Sequence, residues 1–214
     1  MPRDARARGR RTGTGARRPR PGSLWTAGTI VALAGVGSRW AYRRLVSGDL
    51  VVDLSIGRTI RSLGPIEARI EAPRELVFDV IAAPYLASSP TSLAEKIQVL
   101  ERSEDMVLAA HRTPVRGGLV ATTVETVQFE RPRAISFRLV RGPVPHVIER
   151  FELTEDGDAT LFHYEGELGA DLWALGRWWG KLVALRWNDA VRGSIDEITR
   201  IAEMRAARHG PEQA

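Results

Sequence analysis

The final long stretch, Asp171 to Arg208, limits what this chain can fold into more than any other. Apolar residues fall at Leu172, Leu175, Trp179, Leu182, Val183, Trp187, Val191, Ile195, Ile198 and Ile201, mostly at steps of three and four, which mark one face of an α-helix. No proline interrupts the run, and Asp171 stands just ahead of it as an acceptor for the first free backbone N–H groups. Such a helix, straight, would reach roughly 50 Å. Trp173, Trp178 and Trp179 crowd its first two turns beside Gly176 and Gly180, which sets large flat side chains next to notches. A helix with this stripe cannot bury it alone, and a series of strands precedes it. The natural partner is a curved sheet.

The rest of the chain sorts by charge and pattern. Its 214 residues, 43% hydrophobic and 27% charged, fit one globular domain with an appendage. The formal charge of +5 invites a nucleic-acid reading, but residues 1–22 hold eight arginines against the single acid Asp4. The excess therefore belongs to a tail and everything after it is slightly acidic. Interleaved aromatic and basic residues that would grip a single strand are missing from the remainder, so nucleic acid is not an expected partner. Cysteine is absent, which excludes disulfides and thiol chemistry.

Residues 1–22, rich in Arg, Gly, Pro and Thr, have little to bury and read as a disordered basic tail. Residues 23–44 form an apolar helical segment whose uninterrupted part, Leu24 to Ser38, is 15 residues, short of the roughly 20 that span a bilayer. With Arg39 snorkelling and Trp40 and Tyr42 at the interface, residues 24–42 become a candidate single-helix membrane anchor. A cleaved signal peptide and a surface helix are the competing readings. On the anchor reading, the chain is membrane-associated through this helix and the arginine-rich side stays in the cytoplasm; otherwise the domain is cytoplasmic. Residues 45–64 read as a linker with glycine turns and a short strand at Leu50–Leu54. A domain follows over 65–207, with a disordered tail at 208–214.

Within the domain, Ile66, Ala68, Ile70 and Ala72 alternate with Glu67, Arg69 and Glu71, the pattern of a strand with one buried face. Pro73 and Glu75 suit the first turn of a helix carrying Leu76, Val77, Val80 and Ile81. A second short helix is expected over 91–96. Six strands follow, at 98–102, 106–113, 119–129, 134–140, 147–153 and 160–168. Turn residues such as Gly117-Gly118, Arg131-Pro132-Arg133 and Asp156-Gly157 separate them. The short connections predict an antiparallel meander.

The segment from Ile70 through Ala72-Pro73 to Ile81, the Asp156-Gly157-Asp158-Ala159-Thr160 turn, the strand to Leu168 and the tryptophan-bearing helix together resemble the SRPBCC superfamily, the START-like and polyketide cyclase/dehydrase group. The resemblance covers residues 65–207. It implies an α+β helix-grip fold, a curved antiparallel sheet of six or seven strands wrapped around the C-terminal helix, with an apolar cavity between. Members bind or carry lipids, sterols, quinones or polyketides, and a minority catalyse cyclisation or dehydration.

Period two assigns side chains to the concave face. Val147, Phe151 and Leu153 carry Glu149 inward; Leu119, Val127 and Phe129 carry Glu125; Phe162 and Leu168 carry Tyr164; Val107 and Ala109 carry His111. The expected cavity wall comprises Phe78, Val127, Phe137, Phe151, Phe162, Leu175, Trp179, Leu182 and Val183. An inward carboxylate among apolar walls has a raised pKa and can act as general acid or base. Glu149 as base with Tyr164 and His111 as donors is thus one catalytic arrangement; the competing reading pairs the carboxylates with Arg112, Arg138, Arg141 or Arg150. His111, His146 and His163 lie on separate strands without ligand spacing, so no metal and no cofactor is expected. The expected function is binding, with or without transport, of a hydrophobic small molecule. The alternatives are a cyclase/dehydrase-type enzyme and an interaction module without an open cavity.

Overall fold

Alternation does what it predicts. Ile66, Ala68 and Ile70 face the interior of strand β1 (Thr59–Ile70) while Glu67 and Arg69 face water. The computed structural model describes residues 38–86, 96–115 and 118–209. A helix through residues 38–46, α1, precedes β1. After β1 come helix α2 (Arg74–Leu86), strands β2 (Ile97–Arg102), β3 (Met106–Val115), β4 (Leu119–Glu130), β5 (Ala134–Arg141), β6 (His146–Asp156) and β7 (Ala159–Ala170), and the long helix α3 (Trp173–His209). The chain divides into two units, Met1–Arg39 and Trp40–Ala214, and the architecture here is that of the second.

All seven strands lie in one antiparallel sheet ordered β1-β7-β6-β5-β4-β3-β2. The first strand thus pairs with the last, and the meander between them brings β2 to the far edge. Helix α3 packs on β1, β7 and α2. Its buried stripe of Val183, Ala184, Val191, Ile195, Ile198 and Ala202 meets Ile70, Val77, Phe78, Ile135 and Phe162 in one core. This is the helix-grip fold.

Three features differ from the sequence reading. First, β1 begins at Thr59, inside the stretch read as linker, and a register shift between Leu63 and Ile66 lets Leu63 bury on the same face as the even-numbered residues after it. Leu50–Leu54 forms no strand. Second, α2, expected from the apolar face Leu76 to Ile81, continues past it through Pro84 to Leu86. The expected helix at 91–96 lies outside the described residues except for Lys96, as does the apolar run up to residue 37. Among the described residues no helix is long and apolar enough to cross a membrane.

Third, Asp171 does not cap α3. Its buried carboxylate accepts hydrogen bonds from the backbone N–H groups of Leu54 (2.7 Å) and Ser55 (2.8 Å) and from Arg58 Nε (2.7 Å). Leu172 and Trp173 turn left-handed at the helix entrance, with φ of 75° and 46°, and their N–H groups bond to the carbonyls of Ile56 and Gly57. Asp171 thereby staples residues 54–58 to the start of α3, and the Arg58 guanidinium holds its pKa below the ordinary value.

Candidate functional site

The curvature of the sheet leaves a cavity of about 610 Å³ against α3. Phe137 from β5, Phe151 from β6 and Trp179, Leu182 and Val183 from α3 line it, with Ile81 and Tyr85 from α2. Tyr42 of α1 closes on it edge-to-face with Trp179 at 6.1 Å, so the last residue of the candidate anchor belongs to the cavity wall. Trp179 is fixed in turn by its indole N–H, which donates to the Pro143 carbonyl at 2.7 Å.

Period two along β6 buries Val147, Glu149, Phe151 and Leu153 on one face. The same period along β4 buries Thr123, Glu125 and Val127. Glu149 is 5% exposed and Glu125 3% exposed, and both line the cavity. Among the described residues neither is paired to an arginine. Arg150 bonds Glu130 and Glu152, Arg112 bonds Gln98, and Arg141 bonds the Gly48 carbonyl.

Glu149 is held from two sides. The Tyr164 hydroxyl donates to its Oε1 at 2.7 Å and the Trp187 indole N–H donates to the same oxygen at 2.6 Å. Gly166 lies opposite Glu149 in the β6–β7 register, and a Cβ there would stand 3.1 Å from Glu149 Cγ and 2.6 Å from the Ile148 carbonyl oxygen. The absence of a side chain at Gly166 gives Glu149 its room. Burial first, and the Glu125 charge second, push the Glu149 carboxyl up to about 7, against the opposing pull of its two donors.

Glu125 has a partner of its own. His111 Nδ1 lies 3.2 Å from Glu125 Oε2, and His111 Nε2 lies 3.3 Å from the Tyr85 hydroxyl. Burial opposes charge on both members of the pair. The imidazolium and the Thr123 bond outweigh it for Glu125, whose pKa is lowered, and the Glu125 charge outweighs it for His111, whose pKa is raised. An imidazolium donates from both nitrogens, to Glu125 and to the Tyr85 oxygen. Burial and the neighbouring carboxylates raise the Tyr85 and Tyr164 phenols, which stay neutral.

The three residues expected to do chemistry are therefore divided. Glu149 and Tyr164 meet, but Tyr164 is wholly buried and spends its hydroxyl on Glu149 instead of pointing into the cavity. His111 lines the cavity but is bonded to Glu125 and Tyr85. Of the expected wall, Phe137, Phe151, Trp179, Leu182 and Val183 line the cavity, while Phe78, Val127 and Phe162 are buried in the core behind it. Leu175 is 60% exposed, Trp173 59% and Trp178 63%, and none of the three lines the cavity. Trp187, Tyr85 and Thr123 carry polar contacts that the sequence reading did not assign. Trp187 is legible in the sequence only as part of the apolar stripe, although an indole N–H taken out of water usually finds an acceptor.

Residues 66–203 match the family described as polyketide cyclase / dehydrase and lipid transport. The chain belongs to this family. No curated protein matches it in sequence. Solved structures with the same fold include the Zhui aromatase/cyclase from Streptomyces sp. R1128, at TM-score 0.53 and 17% identity over 69% of this chain and 96% of that one. Truncated norcoclaurine synthase from Thalictrum flavum superposes at TM-score 0.53 and 13% identity, covering 70% of this chain and 97% of that one. The protein TTHA0849 from Thermus thermophilus gives TM-score 0.51 and 16% identity over 66% of this chain and 95% of that one. At these identities the likeness is one of fold. Among the described residues no cluster of His, Asp and Glu is arranged to hold a metal ion.

Proposed function

We propose that this member of the family binds a hydrophobic small molecule in the cavity between the sheet and α3. The observation that carries the reading is the cavity itself, about 610 Å³ walled by Phe137, Phe151, Trp179, Leu182 and Val183 around the buried Glu149 and Glu125. A space of that volume, apolar with a few convergent polar groups, has the make-up of a small-molecule site. Titration with the neutral fluorophore Nile red tests it. Saturable binding of one molecule is expected, weakened at least about tenfold by Ala121→Trp, which places bulk on the cavity wall. Absence of saturable binding, or indifference to Ala121→Trp, would contradict the reading and favour a packed interaction module.

One observation favours a second reading, acid–base catalysis. The Glu149 carboxyl titrates near neutrality, where a group can both give and take a proton, and both its protein donors sit on Oε1, leaving Oε2 for a substrate. Turnover abolished in Glu149→Gln with Nile red still bound would support catalysis. A carrier tolerates that change.

A further inference from the structure

The polar end of the cavity holds one carboxylate without a bonded counter-charge. Glu125 has His111 as its counter-ion, but Glu149 has only two neutral donors, Tyr164 and Trp187, both on Oε1. No described side chain bonds Glu149 Oε2. The oxygen is not sealed in protein either, since Arg74 Nε is the one sealed and unpartnered polar side-chain atom among the described residues. Oε2 therefore opens onto the cavity that Glu149 lines. Arg186 also lines the cavity, but it is exposed and lies 3.8 Å from Asp189, so the charges at that part of the wall offset each other.

A buried carboxylate without a cation is costly, and the cost falls when an opposite charge arrives with hydrogen bonds to its free lone pairs. Resting on the reading that the cavity is a ligand site, we infer that its ligand is an apolar molecule bearing a basic nitrogen, an ammonium or protonated imine that sits on Glu149 Oε2 as the counter-charge the protein omits. A neutral hydroxyl can donate one bond to Oε2 but leaves the charge uncompensated. A carboxylate or phosphate meets two glutamates and is repelled. The apolar walls bury the body of the ligand, and Tyr164 and Trp187 hold Oε1 so that Oε2 stays aimed at the nitrogen.

The groups facing Glu149 set the pH behaviour: Glu125 on β4, His111 on β3, Tyr85 on α2, and Tyr164 on β7. Both phenols stay neutral through the neutral range, and within the Glu125–His111 pair each member's charge offsets burial and favours the charged form of the other. Glu149 is the group that the ammonium touches. An ammonium binds its ionised form, so affinity rises with pH as Glu149 loses its proton to solvent.

Adamantan-1-amine, adamantan-1-ol and adamantane-1-carboxylic acid share one cage and differ in charge. Their displacement of Nile red from the full chain separates the outcomes. The amine is expected to bind at least about tenfold more tightly than the alcohol at about pH 8, with the acid weakest. Between about pH 6 and about pH 8 the amine should tighten by roughly tenfold while the alcohol holds steady. In Glu149→Gln the advantage of the amine over the alcohol should collapse; the wild-type pH series decides the same point should that variant not fold. An acid that binds as well as the amine, or an alcohol equal to it throughout the pH series, overturns the inference and leaves the cavity reading intact. A protein that binds Nile red in no saturable way and takes none of the three cages overturns both.

Discussion

Trp187 and Glu149 are joined by a 2.6 Å hydrogen bond that ties the middle of α3 to the concave face of the sheet. The bond does two jobs. It satisfies the indole N–H of a half-buried tryptophan, and it favours the charged form of a carboxylate that burial would otherwise neutralise. With Tyr164 on the same oxygen, it decides which of the two oxygens is left for the cavity.

Removing either donor should raise the Glu149 pKa above its value of about 7, because both act on the ionised form. Trp187→Phe and Tyr164→Phe are each expected to show the rise in a carboxyl-carbon NMR titration, and to lose about 1–3 kcal/mol of stability above neutral pH. An unmoved titration in both variants would mean that Oε1 is not the bonded oxygen in solution.

Stability should fall as pH rises from about 4.5 to about 7. Glu149 binds its proton more tightly in the folded chain than at its ordinary value of 4.5, so in that window the folded state holds more protons than the unfolded one. The slope from this one group is at most about 1.4 kcal/mol per pH unit. Denaturant melts of wild type and Glu149→Gln across the window check it, since the variant should lack that slope.

The neighbouring pair has the opposite behaviour at each end. His111 is raised, so its contribution is fully present below its ordinary value of 6.5 and is lost as pH rises through the folded value. Glu125 is lowered, so its contribution is present above 4.5 and is lost as pH falls through the folded value. His111→Gln should therefore raise the Glu125 pKa and destabilise the protein most between about pH 4.5 and about pH 6.5, where both contributions are present. The same carboxyl NMR titration, reading the Glu125 resonance, tests this.

A methyl group at position 166 should disturb Glu149 without touching the ligand. Gly166→Ala places its Cβ against the Ile148 carbonyl oxygen and Glu149 Cγ, and is expected to cost about 1–3 kcal/mol through overpacking at these contacts. Thermal denaturation measures the cost, and the carboxyl titration of Glu149 in the same variant should report a changed environment.

Asp171→Ala removes the acceptor for the Leu54 and Ser55 amides and the partner of Arg58, and should destabilise by about 2–3 kcal/mol. Amide exchange at residues 54 and 55 should accelerate in step with that loss. Unchanged protection there would show that the staple is not what orders the segment.

Much of this fold was legible as period. Ile66, Ala68 and Ile70, the inward run from Val147 to Leu153 and the stripe of α3 place β1, β6 and the helix, because a half-buried element has to repeat its apolar residues at its own pitch. The same alternation put Glu149, Glu125, Tyr164 and His111 on the inner face. Pairing was not legible. That Tyr164 serves Glu149, and that His111 serves Glu125, depends on strand register and on side-chain reach across strands. Leu175 belongs to the stripe by spacing yet stands exposed, since periodicity says which face a residue is on and not where its cover ends. Asp171 sat where a cap belongs, but Arg58 and two amides from residues far earlier in the chain claim it.

Occupancy of the cavity by an apolar molecule is the central claim, and native mass spectrometry of the full chain, purified without detergent and followed by solvent extraction, tests it most directly. The predicted result is a complex heavier than the polypeptide that releases one small hydrophobic compound, or, from a bare chain, one-to-one adducts when Nile red is added. A mass equal to the bare polypeptide that stays unchanged on adding Nile red would contradict a ligand-binding cavity.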